Sequence, residues 1–172
     1  PSLLETGDFW QHDFTLRYSL NEKMRFRARA AYPMKTTGPF LLALSALVVP
    51  PGAATPVHDH LAWGLVGLYR GTQDEDVFTR TDDASREDEA SLEIMESRAL
   101  HPGDFYALLP ETDIHRVRTT SDVTSVSLHL LGIDNGCIWR HRFHPEEDRV
   151  EPFRSGYVNQ PCANDGEPAY AG

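Results

Sequence analysis

Short apolar runs separated by glycine, proline and aspartate dominate the middle of the chain. Runs such as PFLLALSALVVPPG, DEDVFTRT and VTSVSLHLLG have the length of β-strands, and turn residues bound them. A helical signal occurs only near the N-terminus, and no long amphipathic helical pattern follows it. The pattern therefore predicts an all-β fold, either an antiparallel sandwich or a barrel.

Two histidines, His58 and His60, lie one residue apart in the segment TPVHDHLAWG, which has a strand pattern. Alternate residues of a strand point to one face, so the two imidazoles share a side, roughly 6 to 7 Å apart at the backbone. His115 opens a later strand, and antiparallel pairing would bring it opposite the first two. A single histidine is more often a surface or hydrogen-bonded residue than a ligand, and we interpret four others in that way: His12, His101, His141 and His144.

These segments resemble the two sequence motifs of the cupin superfamily. The first motif appears as GAATPVHDHLAWGLVGLYRG, from Gly52 to Gly71, and the second as GDFYALLPETDIH, from Gly103 to His115. The resemblance implies a double-stranded β-helix, a small jelly roll barrel with a metal site inside. The metal ligands that it implies are His58, His60 and His115.

On this basis we expect three parts of the chain. Residues 1–36 form an N-terminal extension with a short helix and an edge strand, residues 37–158 form the cupin barrel, and residues 159–172 form a loose tail.

One departure from the superfamily pattern narrows the expected chemistry. Most metal-binding cupins carry a glutamate ligand where this sequence has Gly64. A divalent metal on three neutral histidines keeps its full charge and has up to three open positions. In this respect the sequence is similar to the thiol dioxygenases, which include cysteine dioxygenase and 3-mercaptopropionate dioxygenase. The resemblance implies Fe(II), with Ni, Zn or Mn as other bound species, and conversion of a small carboxylate-bearing thiol to its sulfinate by O2.

A second similarity to the thiol dioxygenases lies in VTSVSLHLLG. Alternation places Ser127, His129 and Leu131 on one face of this strand. The family carries a Ser-x-His-x-Tyr relay beside the iron, which implies that Ser127 and His129 are catalytic. Leu131 occupies the position of the tyrosine, which removes the hydroxyl expected to hydrogen-bond the bound substrate or oxygen. Without the two cupin motifs, the serine and histidine would be interpreted as an ordinary buried polar pair.

A carboxylate-bearing substrate requires a cationic group. Three arginines alternate with other residues just before the barrel and would share one strand face, where a guanidinium can bind a carboxylate with two hydrogen bonds. The alternative is a solvated edge strand whose charges prevent aggregation. The candidate substrate-binding residues are Arg25, Arg27, Arg29, Trp63 and Tyr157, with Lys35 as a further cation.

Charge and composition limit the partners. The net charge is −10, from 26 acidic and 16 basic residues, which disfavours nucleic acid and anionic membranes. No apolar run reaches membrane-spanning length. Cys137 and Cys162 could form a bridge, but a pair so near the chain end is more simply interpreted as two free thiols of a cytoplasmic protein. The resemblance to the thiol dioxygenases implies a small thiol and O2 as partners, and the sequence leaves a homo-oligomer open.

Two other functions remain open at this point. One is a different metal-dependent enzyme on the same barrel, such as a three-histidine oxygenase that cleaves diketones, or an isomerase. The other is a cupin that binds a small ligand without turnover.

Overall fold

The computed structural model describes residues 15–21, 24–29, 43–133 and 135–155. Apart from two short 3-10 turns, Pro110–Thr112 and Pro145–Glu147, the regular structure described is β-strand. The strands are β1 Thr15–Asn21, β2 Met24–Arg29, β3 Ala43–Val49, β4 Val57–His58, β5 Gly64–Arg70, β6 Gln73–Arg80, β7 Leu92–Leu100, β8 Phe105–Leu108, β9 His115–Thr119, β10 Ser125–Leu131, β11 Arg140–His144 and β12 Arg149–Phe153.

These strands form two antiparallel sheets. The order is β1-β2-β3-β10-β5-β8 in the first sheet and β12-β11-β4-β9-β6-β7 in the second. Each sheet takes strands from distant parts of the chain, because β10 lies between β3 and β5, and β9 lies between β4 and β6. This interleaved antiparallel arrangement is a jelly roll, so the predicted fold class is confirmed.

Strand β10 turns its polar face inward. Ser125, Ser127 and His129 are buried, whereas Leu128 on the opposite face is 43% exposed. The interior hydroxyls are hydrogen-bonded, as in the 2.9 Å bond that the Gln73 amide donates to Ser125 Oγ, which removes most of the cost of burying them. The barrel therefore encloses a polar interior, as a functional site requires.

The short strand β4 is anchored by packing on the face opposite its histidine. Val57 belongs to an apolar cluster with Phe78, Phe143 and Val150, all buried. Because neighbouring residues of a strand point to opposite faces, this cluster fixes the orientation of His58. Burial of each of these side chains stabilises the fold by about 1.5–3 kcal/mol.

The structure describes too little of the two chain ends to test the predicted boundaries of the extension and the tail. The N-terminal extension was expected to hold a short helix and an edge strand, and within it Thr15–Asn21 is a strand that pairs with Met24–Arg29. The remainder of residues 1–36 lies outside the described residues, as does the predicted tail at 159–172. The proposed boundaries of the extension, barrel and tail stay predictions.

The interpretation of the cysteines was wrong. Cys137 is disulfide-bonded, and the described residues contain no free cysteine. The other cysteine of the sequence, Cys162, lies outside the described residues. Free thiols therefore no longer support a cytoplasmic location, which stays a prediction. None of the helices in the described part of the chain is long and apolar enough to cross a membrane.

Candidate metal centre

Three buried histidines converge inside the barrel. His58 in β4 and His115 in β9 are direct cross-strand partners, and His60 follows two residues after the first. The ring centroids lie 4.8 to 4.9 Å apart, and one candidate ligand atom from each residue lies within 4.8 Å of the others. The antiparallel pairing expected from the sequence thus brings all three imidazoles together.

Hydrogen bonds fix the tautomer of two of these histidines. His58 Nδ1 donates to the carbonyl of Pro56 at 2.9 Å, and His115 Nδ1 donates to Glu75 Oε1 at 2.6 Å. Since a carbonyl or carboxylate oxygen only accepts, both Nδ1 atoms carry the proton and both Nε2 atoms carry a lone pair. His115 Nε2 is buried and has no hydrogen-bond partner among the described residues.

The surroundings keep the imidazoles of His58 and His60 neutral. Burial, with the neighbouring histidines and Arg140 adding to it, lowers the pKa of both His58 and His60 well below the usual value. Metal binding requires the neutral imidazole, so protons do not compete at neutral pH. Three imidazole nitrogen donors, one of them the unpartnered His115 Nε2, fit a divalent metal such as iron, zinc or nickel, which these histidines would hold.

The loop that carries His60 is clamped by Asp113. The carboxylate of Asp113 accepts hydrogen bonds from the backbone N–H of His60 at 3.1 Å and of Leu61 at 2.8 Å. Leu61 has a φ of 53°, a left-handed conformation that costs about 1–3 kcal/mol outside glycine. The two bonds to Asp113 offset this strain and hold the second histidine in place.

Asp59, between the two histidines of the HDH motif, ties the loop to β11. Its carboxylate accepts bonds from the backbone N–H of His141 at 2.8 Å and from its ring Nδ1 at 2.6 Å. The backbone carbonyl of Asp59 accepts a bond from Arg140 Nη1 at 2.9 Å. The hydrogen bond that His141 Nδ1 donates to Asp59 raises the pKa of His141 above the usual value.

The fold leaves no space for a ligand side chain at position 64. Gly64 is the cross-strand partner of Leu131, and a Cβ on Gly64 would lie 2.5 Å from Leu131 Cδ2 and 2.7 Å from the Leu130 carbonyl oxygen. Real Cβ atoms do not approach other atoms so closely. Among the described residues, the metal-binding group contains only the three histidines.

Ser127 and His129 lie on one face of β10, as the alternation predicted, and this face is close to the three histidines. Ser127 Oγ lies 3.0 Å from His129 Nε2, and both residues are buried. The His129 ring centroid is 6.4 Å from that of His60. Burial and the neighbouring His115 lower the pKa of His129 to about 3, so this imidazole is neutral at physiological pH. Their catalytic role stays a prediction.

The predicted substrate-binding residues have mixed outcomes. Trp63 is half exposed, and its indole packs so tightly on Gly132 that a Cβ there would lie 2.6 Å from it. In β2, Arg25 and Arg27 pair in register with Val48 and Ala46, but their side chains lie outside the described residues. The side chain of Arg29 also lies outside the described residues, and Lys35 and Tyr157 lie outside them entirely. Their roles stay predictions.

Sequence reasoning missed two charged residues at the site. Arg140 is buried in β11, where its charge acts on both His58 and His60. Glu75 is fully buried in β6 and contacts His115. Period-2 alternation with Val77 could have placed Glu75 on an inner face, but nothing local indicated that His115, the cross-strand partner of Val77, would lie within hydrogen-bonding distance of it.

Comparison with solved structures supports the assignment of the fold. A sugar phosphate isomerase of the cupin superfamily from Silicibacter pomeroyi superposes with a TM-score of 0.51, covering 88% of this chain and 83% of that one at 13% identity. The chain has the cupin fold. No family model matches the sequence.

Two further cupin structures are similar at lower scores. A Cupin 2 conserved barrel domain protein from Salinispora arenicola matches at 18% identity, covering 67% of this chain and 81% of that one, with a TM-score of 0.45. An oxalate oxidase in complex with glycolate matches at 15% identity over 53% of this chain, with a TM-score of 0.42. The matched region spans 41% of the oxalate oxidase chain.

Proposed function

We propose that this cupin is a mononuclear non-haem iron(II) thiol dioxygenase that converts a small carboxylate-bearing thiol to its sulfinate. The observation that carries the proposal is the all-histidine donor set, with Leu131 filling the space beside Gly64 where a fourth ligand would lie. Other divalent metals, such as nickel, zinc or manganese, suit the same donors.

The reaction is balanced without a further reductant. A thiolate and O2 give a sulfinate, both oxygen atoms pass to sulfur, and sulfur supplies the four electrons that reduce O2. Ferrous iron on three neutral imidazoles would supply the positive charge that favours the thiolate and the electrons that activate O2.

Arg140 is the residue that we propose to hold the substrate carboxylate. It is buried next to the histidines. Its Nη1 donates a hydrogen bond to the backbone carbonyl of Asp59, and its charge lowers the pKa of His58 and His60. A guanidinium in a low-dielectric interior attracts a carboxylate more strongly than one at the surface. Arg140 thus takes the role in carboxylate binding that the sequence suggested for Arg25, Arg27 and Arg29.

Ser127 and His129 are proposed as an outer hydrogen-bonding pair. Because the pKa of His129 is about 3, its ring does not carry a positive charge during turnover at neutral pH. It can therefore orient a substrate group by hydrogen bonding, together with Ser127, whose Oγ is 3.0 Å from His129 Nε2. Leu131, at the tyrosine position of the Ser-x-His-x-Tyr pattern, contributes only apolar surface.

The test is oxygen consumption by the iron-loaded protein with a panel of small thiols. The panel contains 3-mercaptopropionate, cysteine, mercaptosuccinate and cysteamine, which lacks a carboxylate, and a diketone serves as the outgroup. We expect uptake with a carboxylate-bearing thiol and one sulfinate per O2 by mass spectrometry.

Uptake with the diketone alone would favour the second candidate, a carbon–carbon bond-cleaving oxygenase. The observation that favours this candidate is the apolar cluster that Leu131 joins with Val66 and Leu108. Iron binding without oxygen consumption in the presence of any of these substrates would overturn the thiol dioxygenase proposal and favour a ligand-binding cupin.

A further inference from the structure

A buried carboxylate lies directly behind one of the three histidines. Glu75 in β6 is 0% exposed, and its Oε1 accepts the 2.6 Å bond from His115 Nδ1. Its second oxygen, Oε2, accepts a 2.6 Å bond from Arg98 Nε. Both oxygens of Glu75 are therefore used, one toward the candidate metal site and one away from it.

The contacts of Glu75 compensate for its burial. An imidazole N–H of His115 and the guanidinium of Arg98 each donate a hydrogen bond to one of its oxygens, in place of the water that burial removes. Arg98 is itself held over the ring of Tyr106, with its Cζ 4.3 Å from the ring centroid. A buried carboxylate with a neighbouring guanidinium is the arrangement that tolerates a charge in a protein interior.

We propose that Glu75 is a positioning residue that fixes the tautomer and orientation of His115 and increases its strength as a metal donor. A carboxylate that accepts the Nδ1–H of a metal-binding histidine makes the opposite nitrogen more basic. No carboxylate joins the three histidines among the described residues. Glu75 thus places its carboxylate against His115 Nδ1, on the side of the ring away from Nε2. Position 64 contributes no ligand to the metal-binding group.

The same interaction makes the three histidines unequal. His58 donates its Nδ1–H to the neutral carbonyl of Pro56, and His60 Nδ1 is 3.4 Å from Asp113, beyond a good hydrogen bond. Only His115 has a short bond to a carboxylate. His115 is therefore the strongest donor of the three.

This inference rests on the metal site of the proposed function, but not on the reaction catalysed there. The experiment uses the full chain with Glu75→Gln and measures the dissociation constant for Co²⁺ and Zn²⁺ by competition with a chelator. The matched control is Asp76→Asn in the same strand. Asp76 accepts hydrogen bonds of 2.7 Å from both Arg116 and Ser97 and does not contact the histidines.

We expect Glu75→Gln to weaken metal binding about 10- to 100-fold and to shift the absorption bands of bound Co²⁺. Asp76→Asn should leave both properties unchanged. Metal binding by Glu75→Gln as tight as in wild type, or an equal loss in Asp76→Asn, would overturn the inference. If wild type binds no metal at all, the proposed function fails instead, so the two failures are distinguishable.

A measurement on the wild-type protein covers the case in which Glu75→Gln does not fold. Long-range ¹H–¹⁵N spectra report which ring nitrogen of His115 carries the proton. The Nδ1–H tautomer, with a downfield proton typical of a short bond to a carboxylate, is the expected result. The Nε2–H tautomer would overturn the inference.

Discussion

Gly64 and Leu131 are cross-strand partners, and the side chain of Leu131 occupies the space that a side chain on Gly64 would need. These are the two positions at which the sequence departs from the cupin and thiol dioxygenase motifs. Since both departures meet at one contact, a ligand at position 64 and a leucine at position 131 exclude each other.

This contact predicts energetic coupling between the two positions. Gly64→Ala should lower the free energy of unfolding by about 1–3 kcal/mol, because the new methyl group overpacks against Leu131 and the Leu130 carbonyl. Leu131→Ala should cost about 2–5 kcal/mol by creating a cavity. The double variant should lose less than the sum, as measured by urea denaturation. Strict additivity would contradict the contact.

The three-histidine site predicts which histidines are needed for metal binding. His115→Ala should lose stoichiometric metal, and with it the stabilisation of about 4.1 kcal/mol that a metal at 1,000 times its dissociation constant provides. His101→Ala is the matched control, because that side chain is 67% exposed. Metal analysis and thermal unfolding with and without metal test both variants. Retention of metal by His115→Ala would remove this residue from the site.

The depressed pKa values predict acid sensitivity of the metal-free protein. His58 and His60 have folded-state pKa values well below the usual one, and His129 has a pKa of about 3. Below pH ~6.5 the unfolded chain binds protons on these residues that the folded chain does not. Stability should therefore fall as the pH is lowered, by about 1.4 kcal/mol per pH unit for each histidine, and these residues should contribute no pH dependence above neutrality.

Denaturant titrations of the metal-free protein between pH 7.5 and pH 5 test this prediction. His129→Gln should have a shallower dependence than wild type, because one of the three histidines no longer contributes. An identical pH dependence in the variant would show that His129 is not held neutral by the fold.

Arg140 predicts a preference for substrates with a carboxylate. Arg140→Gln should lower kcat/KM for 3-mercaptopropionate about 10- to 100-fold, the loss expected for a charged hydrogen bond, and should change the value for cysteamine much less. Arg142→Gln is the control, since Arg142 lies in the same strand and over the same Phe153 ring. Equal losses for both thiols would mean that Arg140 supports the fold and not the substrate carboxylate.

Local sequence was sufficient for the strands and for part of the site. Alternation in β10 placed Ser127 and His129 on one face, and the spacing of His58 and His60 placed two imidazoles together. Both predictions depend only on the two-residue period of an extended chain, which a few neighbouring residues define.

The tertiary structure decided what surrounds these residues. Glu75 and His115 are 40 positions apart, and Asp59 and Arg140 are 81 positions apart, so each contact depends on strand register and not on local pattern. The alternation of β10 taken alone would favour burial of its apolar face, with Val126, Leu128 and Leu130, over the face that carries Ser127 and His129. The fold turns the polar face inward, where hydrogen bonds satisfy Ser125 and Ser127, and thereby creates a polar site within the barrel.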